Sequence, residues 1–234
     1  MKPAKASTLA RPHIVVIDPG VKAPELDCYN LIAQMSDLPT TCHMPAIFGI
    51  DSLTAEDTAA KTSLIKGFVI LGSASSVNER QPWQGELENW LMPKLQLGIP
   101  TLGICYGHQM LAYMFGGKVD YLYPDQTKLK GFREIDLLPT AAWGTDAGRI
   151  PITVTHNEGV TVLPECMTVV GRSPQVAVDG LAHRSLPIWG LQSHPETTNV
   201  FLKNSEIEIP ESLDILGFGH EIVRRFLAYC SSRP

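Results

Sequence analysis

Several features that would mark a secreted, membrane or nucleic-acid-binding protein are missing from this sequence. The apolar run near the N-terminus, Ile14–Ile17, has four residues, whereas a signal peptide needs about 7–15 and a membrane span about 20. The five cysteines are irregularly spaced and form no C-x-x-C pair, which argues against a disulfide framework or a zinc knuckle. The net charge of -5 disfavours nucleic acid and anionic membranes as partners. We therefore expect a cytoplasmic protein.

Motifs for cofactors and metals are absent as well. No G-x-x-x-x-G-K-[ST] loop occurs, and no G-x-G-x-x-G follows a predicted strand, so ATP and dinucleotide sites have no support. The H-x-E pair at His194 and Glu196 supplies two metal ligands at most, which is too few for a zinc site. We expect neither a cofactor nor a metal.

What the sequence does contain fits a single α/β domain. Of its 234 residues, 44% are hydrophobic and 18% are charged, as in an ordinary globular domain. We assign residues 13–234 to this domain and expect residues 1–12 to be a disordered leader. Apolar runs predict buried parallel strands, and apolar residues at helical spacing predict helices between and after them. The strands are His13–Asp18, Gly67–Leu71 and Pro100–Ile104, and the helices are Trp83–Gln96 and Tyr106–Phe115.

The second half of the chain indicates more strands with short connections. These strands either extend the sheet or form an antiparallel annex. Residues 139–151 have the composition of a loop, and Leu213–Cys230 has the apolar spacing of a terminal amphipathic helix. Residues 19–50 are hard to interpret beyond a helix at Glu25–Met35. The predicted strands are Gly131–Leu138, Ile152–His156, Met167–Arg172, Gln175–Asp179 and Ile188–Gln192.

A G-x-C-x-G motif at residues 103–107 is the most informative stretch. It lies between an apolar strand and a short helix, the context of a nucleophile elbow. This turn would expose the Cys105 thiol at a helix N-terminus, where the helix dipole favours the thiolate. The backbone N–H of Tyr106 would point at a developing oxyanion. The alternative is an inert buried cysteine whose flanking glycines serve packing.

Two further segments supply the groups that such a nucleophile needs. His194 could take the thiol proton and later protonate a leaving amine, while Glu196 orients the imidazole. Small residues after the strand Gly67–Leu71 let backbone amides approach a ligand, so the N–H of Gly72 or Ser73 could complete an oxyanion hole. The alternatives are a surface turn for the H-P-E segment and a solvated serine-rich loop for the other.

These features, in this order, resemble the class I, triad-type glutamine amidotransferases, and look closest to the glutaminase part of GMP synthase. Where that family has G-G-P-x-S-V, H-G-D-x-V and Q-F-H-P-E, this chain departs in a few positions, with Ser73 and Ala74 in the first motif and Ser193 in the last. The resemblance covers residues 13 to 196, about 80% of the chain. The motifs are G-S-A-S-S-V at 72–77, G-I-C-Y-G-H-Q at 103–109, H-N-E-G-V at 156–160 and Q-S-H-P-E at 192–196.

The resemblance implies a fold and roles for further residues. The fold would be a flavodoxin-like three-layer α/β sandwich, with a mostly parallel central sheet and a small antiparallel annex. Gln109 would help to position the substrate, and His156 and Asn157 would belong to the same binding segment. Glu158 would meet the α-ammonium group of the substrate. The alternatives are a helix-packing role for Gln109 and a solvated loop carboxylate for Glu158.

The implied activity is release of ammonia from the side-chain amide of glutamine through a γ-glutamyl thioester on Cys105. No S-G-G-x-D-S loop of a synthase follows in the chain. The implied partners are therefore glutamine or another γ-glutamyl compound, and a separate synthase subunit that accepts the ammonia. Two alternatives stay open: a γ-glutamyl peptide or conjugate hydrolase, and a catalytically silent regulatory module of the same fold.

Overall fold

A computed structural model describes residues 11–55, 58–144, 148–208, 210 and 214–233. The leader predicted over residues 1–12 therefore lies outside the described residues, apart from Arg11 and Pro12. The strands are β1 (His13–Ile17), β2 (Thr40–His43), β3 (Ile65–Ile70), β4 (Thr101–Ile104), β5 (Lys118–Tyr121), β6 (Leu129–Leu137), β7 (Arg149–His156), β8 (Glu158–Val162), β9 (Met167–Arg172), β10 (Gly180–His183) and β11 (Ile188–Leu191).

The helices occupy the connections of the first half and the end of the chain. They are α1 (Leu26–Met35), α2 (Pro45–Phe48), α3 (Asp51–Thr54), α4 (Ala59–Thr62), α5 (Pro82–Gln96), α6 (Tyr106–Met114), α7 (Asn199–Asn204) and α8 (Ile215–Ser231), with a 3₁₀ turn at Val77–Glu79. Pro82 suits the first turn of α5, because a helix leaves its first N–H groups unpaired in any case. No helix within the described part of the chain is both long and apolar enough to cross a membrane.

One nine-stranded sheet runs through the molecule in the order β2-β1-β3-β4-β11-β10-β9-β6-β7. The strands from β2 to β11 pair in parallel, and those from β11 to β7 pair antiparallel. Strands β5 and β8 form a separate two-stranded antiparallel sheet. The predicted α/β class with an antiparallel annex is confirmed, and a further antiparallel region continues the central sheet itself.

Helices cover both faces of the parallel half because its strands are apolar on both faces. In β1, Ile14 and Val16 join the core beneath α1 and α8. The alternate residues Val15 and Ile17 join the core beneath α5 and α6. This alternation follows from the two-residue period of a strand, and it produces the expected three layers.

Two predictions for the second half are wrong. Residues Gln175–Asp179 form turns instead of a strand. The buried Val176 and Val178 mimic strand alternation, but the Ser173 hydroxyl accepts a hydrogen bond from the Val176 N–H (3.1 Å) and folds the chain back. The predicted loop over 139–151 ends early, because residues 149–151 already belong to β7 and pair with β6; residues 145–147 lie outside the described part.

Candidate active site

Cys105 occupies the turn between β4 and α6. Its φ of 50° and ψ of -99° are rarely adopted by a residue with a side chain. The turn is held on both sides, because the Cys105 N–H donates to the Leu191 carbonyl (2.8 Å) and its carbonyl accepts from the Gln109 N–H (3.0 Å). A Cβ atom on Gly103 would lie 2.5 Å from the backbone of Gly107, so the motif needs glycine there. The predicted strained turn is present, with the thiol at the start of a helix.

His194 and Glu196 follow β11, the strand next to β4. The His194 Nδ1 lies 3.0 Å from Glu196 Oε1, and both side chains are buried. A Cβ atom on Gly72 would lie 2.8 Å from His194 Cε1 and 3.6 Å from Cys105 Cβ. The structure therefore brings together Cys105, His194, Glu196 and the backbone of Gly72, which are far apart in the sequence.

The electrostatics of this group favour a charged imidazole. Burial alone would lower the pKa of His194, but the neighbouring Glu196 and Cys105 outweigh it and raise that pKa to about 10. His194 Nε2 and Glu196 Oε2 have no hydrogen-bond partner among the described residues. The arrangement can stabilise an imidazolium beside a thiolate, and it leaves one imidazole nitrogen open for proton transfer.

The turn that carries His194 is supported by two helices near the end of the chain. The Thr197 hydroxyl donates to the His194 carbonyl (2.6 Å), and the Thr197 carbonyl lies 2.7 Å from His220 Nε2 of α8. Phe201 of α7 packs its ring on His194, with centroids 4.8 Å apart. Gly219 approaches so closely that an added Cβ atom would lie 2.7 Å from the Pro195 carbonyl. These contacts fix the imidazole in one orientation.

The serine-rich loop after β3 is an ordered structure. The Ser73 hydroxyl donates to the Pro19 carbonyl (2.7 Å) and accepts from the Ser75 N–H (3.1 Å). Gln84 of α5 donates to the carbonyl of Ser76 and to the hydroxyl of Tyr106, both at 2.9 Å. The loop and the start of α6 are therefore held together, which places Gly72, Ser73 and Tyr106 around the thiol.

The segment from His156 to Glu158 lies on the opposite side of Cys105. The Glu158 carboxylate accepts from the Ser76 hydroxyl (2.9 Å). The Glu158 carbonyl accepts from Gln109 Nε2 (3.0 Å) and from His156 Nδ1 (2.8 Å). Gln109 and His156 thus support the backbone of the segment, while Asn157, Glu158 and Cys105 line a cavity of about 280 Å³.

A second cavity, of about 260 Å³, opens on the other side of the thiol. Cys105 lines both cavities, but His194 and Glu196 line only this one, together with Phe201 and the β1–α1 connection. That connection contributes Lys22 and Glu25 to the wall. Among the described residues, no group of three or more His, Cys, Asp or Glu side chains could hold a metal ion.

Four functional candidates escaped the sequence reasoning. Gln192 is fully buried, and its Nε2 lies 3.6 Å from Cys105 Sγ. Phe201 packs on His194 as described above. Arg133 and Asp179 form a buried ion pair behind His156. A detectable signal existed for Arg133, because it stands at an inward position of β6 in line with Ile135 and Leu137.

Comparison with known proteins places the chain in a family. A model of the class-I glutamine amidotransferases matches residues 26–205. The chain is 31% identical over 135 residues to the glutaminase-type component named as part of the glutamine-hydrolysing GMP synthase of Methanopyrus kandleri, and the match covers 56% of this chain and 62% of that protein. It is 28% identical over 162 residues to the Azoarcus sp. GMP synthase, covering 67% of this chain and 30% of that enzyme.

A solved structure gives the same fold. A Thermoplasma acidophilum protein described as a GMP synthase subunit superimposes with a TM-score of 0.72 at 22% identity, over 95% of both chains. The alignments with the curated relatives span less than two thirds of either relative's length, whereas the family model covers most of this chain. The chain belongs to the class-I glutamine amidotransferase family.

Proposed function

We propose that this protein hydrolyses the side-chain amide of glutamine through a covalent intermediate on Cys105. The observation that carries the proposal is the convergence of Cys105, the His194–Glu196 pair and the Gly72 backbone around one point. These are a nucleophile, an oriented base and oxyanion donors, the three parts that acyl transfer requires.

The first half of the reaction forms the thioester. The Cys105 thiolate attacks the carboxamide carbon of glutamine, and the oxygen becomes an oxyanion that the N–H groups of Gly72, Ser73 and Tyr106 stabilise. His194 donates its proton to the departing nitrogen, so the C–N bond breaks and ammonia leaves. In the second half, His194 takes a proton from water, the hydroxide attacks the γ-glutamyl thioester, and glutamate is released with the thiolate restored.

The substrate would lie with its α-ammonium group toward Glu158. That carboxylate lines the cavity next to Cys105 and carries one hydrogen bond from Ser76, which leaves acceptor capacity for a cation. Gln109, His156 and Asn157 would act by holding the segment in place.

A separate synthase subunit is the proposed acceptor of the ammonia. The Methanopyrus kandleri relative is named as one subunit of GMP synthase, and residues 13–234 of this chain make one amidotransferase domain in our proposal. A partner that consumes ammonia would bind where the site opens. Adding such a partner should raise glutamine turnover, because binding energy can complete a catalytic site.

The decisive experiment follows glutamate and ammonia release from glutamine by the purified protein. We expect turnover that Cys105→Ala lowers about a millionfold, as in other enzymes that lose their nucleophile. Cys166→Ala removes a half-buried thiol outside the site and should keep the wild-type rate. Equal rates for wild type and Cys105→Ala would refute the proposed nucleophile.

A second candidate, hydrolysis of γ-glutamyl peptides, is favoured by the cavity beside His194. Because His194 protonates the leaving nitrogen, the leaving group must lie on this side. The cavity has a volume of about 260 Å³, whereas a molecule as small as water takes up about 30 Å³. A series of γ-glutamyl amides with leaving amines of increasing size would decide between the two. Faster cleavage of γ-glutamyl dipeptides than of glutamine would establish the peptidase, and the reverse order would exclude it.

A further inference from the structure

A closed ring of polar contacts lies behind the Glu158 side of the site. From Cys105, it passes through the side chains of Gln192 and Gln109 to the Glu158 carbonyl, with Gln109 Nε2 3.1 Å from Gln192 Oε1. From that carbonyl it continues through His156, whose Nε2 lies 3.0 Å from Arg133 Nη1. The ring is therefore continuous from the nucleophile to a buried arginine.

Arg133 closes the ring through Asp179. Its guanidinium donates from both Nε and Nη2 to the Asp179 carboxylate, and the Asp179 carbonyl accepts from the Gln192 N–H (2.8 Å). Arg133 has 7% of its surface exposed and Asp179 has none. Only a planar guanidinium can bind a carboxylate with two donors and still offer a third donor to His156.

The surroundings of His156 make it a neutral link with one defined tautomer. Burial and the Arg133 cation lower the pKa of His156 to about 3, and His194 and His108 nearby act in the same direction. Arg133 can only donate, so His156 Nε2 must accept and Nδ1 must carry the proton that the Glu158 carbonyl receives. Arg133 thus dictates which way the imidazole bonds.

We propose that Arg133 is a positioning residue that fixes Glu158 at a set distance from Cys105 and thereby makes the site selective for the γ-glutamyl chain length. The inference rests on the proposed function, in which Glu158 binds the α-ammonium group while Cys105 attacks the amide carbon. These two contacts measure the chain between the two groups. A β-aspartyl amide is one methylene shorter and cannot make both in a rigid site.

The test uses two alkylating amino acids that mark Cys105 without turnover. Diazo-oxo-norleucine has the length of glutamine, and diazo-oxo-norvaline has the length of asparagine. Mass spectrometry gives the rate at which each modifies Cys105, and iodoacetamide reports the reactivity of the thiol without recognition of an amino acid. We expect the wild type to react faster with the longer probe.

Two variants remove the arginine. Arg133→Met leaves Asp179 as an unpaired buried charge, which is strongly destabilising, so Arg133→Met combined with Asp179→Asn removes both charges and preserves folding. In both we expect the ratio of the two probe rates to fall by at least about tenfold, the loss of one charge-assisted contact. The iodoacetamide rate should not change. Arg149→Met, which loses an exposed ion pair to Asp136 on the same strand pair, is the matched control and should keep the ratio.

A nuclear magnetic resonance titration of His156 reports on the ring without any substrate. In the double variant its pKa should rise from about 3 toward the ordinary 6.5. If His156 titrates normally and the probe ratio stays at the wild-type value, Arg133 does not set the chain length and the inference is refuted. If the wild type itself reacts equally with both probes while iodoacetamide labels Cys105, the proposed recognition of glutamine fails and the inference with it.

Discussion

The two sides of Cys105 satisfy their polar groups in different ways. On the His194 side, His194 Nε2 and Glu196 Oε2 have no hydrogen-bond partner in the described part of the chain. On the Glu158 side, the groups from Gln192 to Arg133 bond one another in a closed ring. Buried polar atoms are normally paired, and unpaired ones occur where function requires them. The comparison teaches that the reactive side keeps bonding capacity for the reaction, whereas the recognition side is completed before the substrate arrives.

Removing the charge of the open side should have the largest effect. Glu196→Gln keeps the size of the side chain but loses the carboxylate that raises the pKa of His194. We expect kcat for glutamine hydrolysis to fall by about a thousandfold to ten-thousandfold, as when the carboxylate of a serine triad is replaced. Labelling of Cys105 by iodoacetamide at neutral pH should also slow, because the thiolate loses its cationic neighbour.

The control for this variant is Glu86→Gln, which changes an exposed glutamate of α5 and should leave both rates unaltered. If Glu196→Gln retained the wild-type rate, the contact between Glu196 and His194 would be structural only.

Changing the carboxylate of the recognition side should affect substrate binding more than chemistry. Glu158→Gln should raise KM for glutamine by at least about tenfold, which corresponds to the loss of a charge-assisted hydrogen bond, with a smaller change in kcat. Steady-state kinetics with glutaramate, which lacks the α-amino group, supplies the matched comparison. The variant and the wild type should handle glutaramate equally; an equal loss for both substrates would contradict an ammonium contact at Glu158.

The loop that joins the two sides offers a smaller change. Ser73→Ala removes the hydrogen bonds to Pro19 and Ser75 but keeps every backbone N–H. We expect kcat to fall by about fivefold, the size of one ordinary hydrogen bond of about 1 kcal/mol. Ser75→Ala, which loses a bond to Glu79 instead, should fall less. A larger loss for Ser75→Ala would show that the anchor to Pro19 is not what orients the loop.

A histidine away from both sides should influence stability alone. His43 contacts Ser52 and Thr41, and burial, aided by His13, lowers its pKa from 6.5 to about 4. The folded pKa lies below the unfolded one, so the stability gained from the neutral form is complete above about pH 6.5 and is lost as pH falls toward 4. Thermal unfolding of His43→Gln should therefore depend less on pH over this window than that of the wild type. Parallel curves would contradict the assignment.

The parallel half was predictable because its strands are buried on both faces. Continuous apolar runs identified β1, β3 and β4, and the helices α5 and α6 agree with prediction to within about one residue at each end. Strand β2 was missed because Thr40–His43 is short and polar and lies at the sheet edge. Strand β5 (Lys118–Tyr121) was missed because only Val119 is buried. Local pattern carries little information where burial is partial.

The candidate site was predictable only where its residues lie in local motifs. Cys105, His194 and Glu196 each occur in a short segment whose spacing has a chemical meaning, and the structure brings these residues together. Arg133 and Asp179 are 46 residues apart and belong to no such motif. Their pairing depends on the register of β6 against β7 and β9, which long-range contacts determine and no short pattern encodes.

Strand β11 has a consequence for the synthesis of the chain. It is the last strand in sequence among the described residues, yet it lies between β4 and β10 and joins the parallel and antiparallel halves. Until residues 188–191 have left the ribosome, β4 is an unpaired edge, which can associate with other chains. The thiol is therefore made about 90 residues before the imidazole that activates it, so a growing chain on the ribosome cannot yet hydrolyse glutamine.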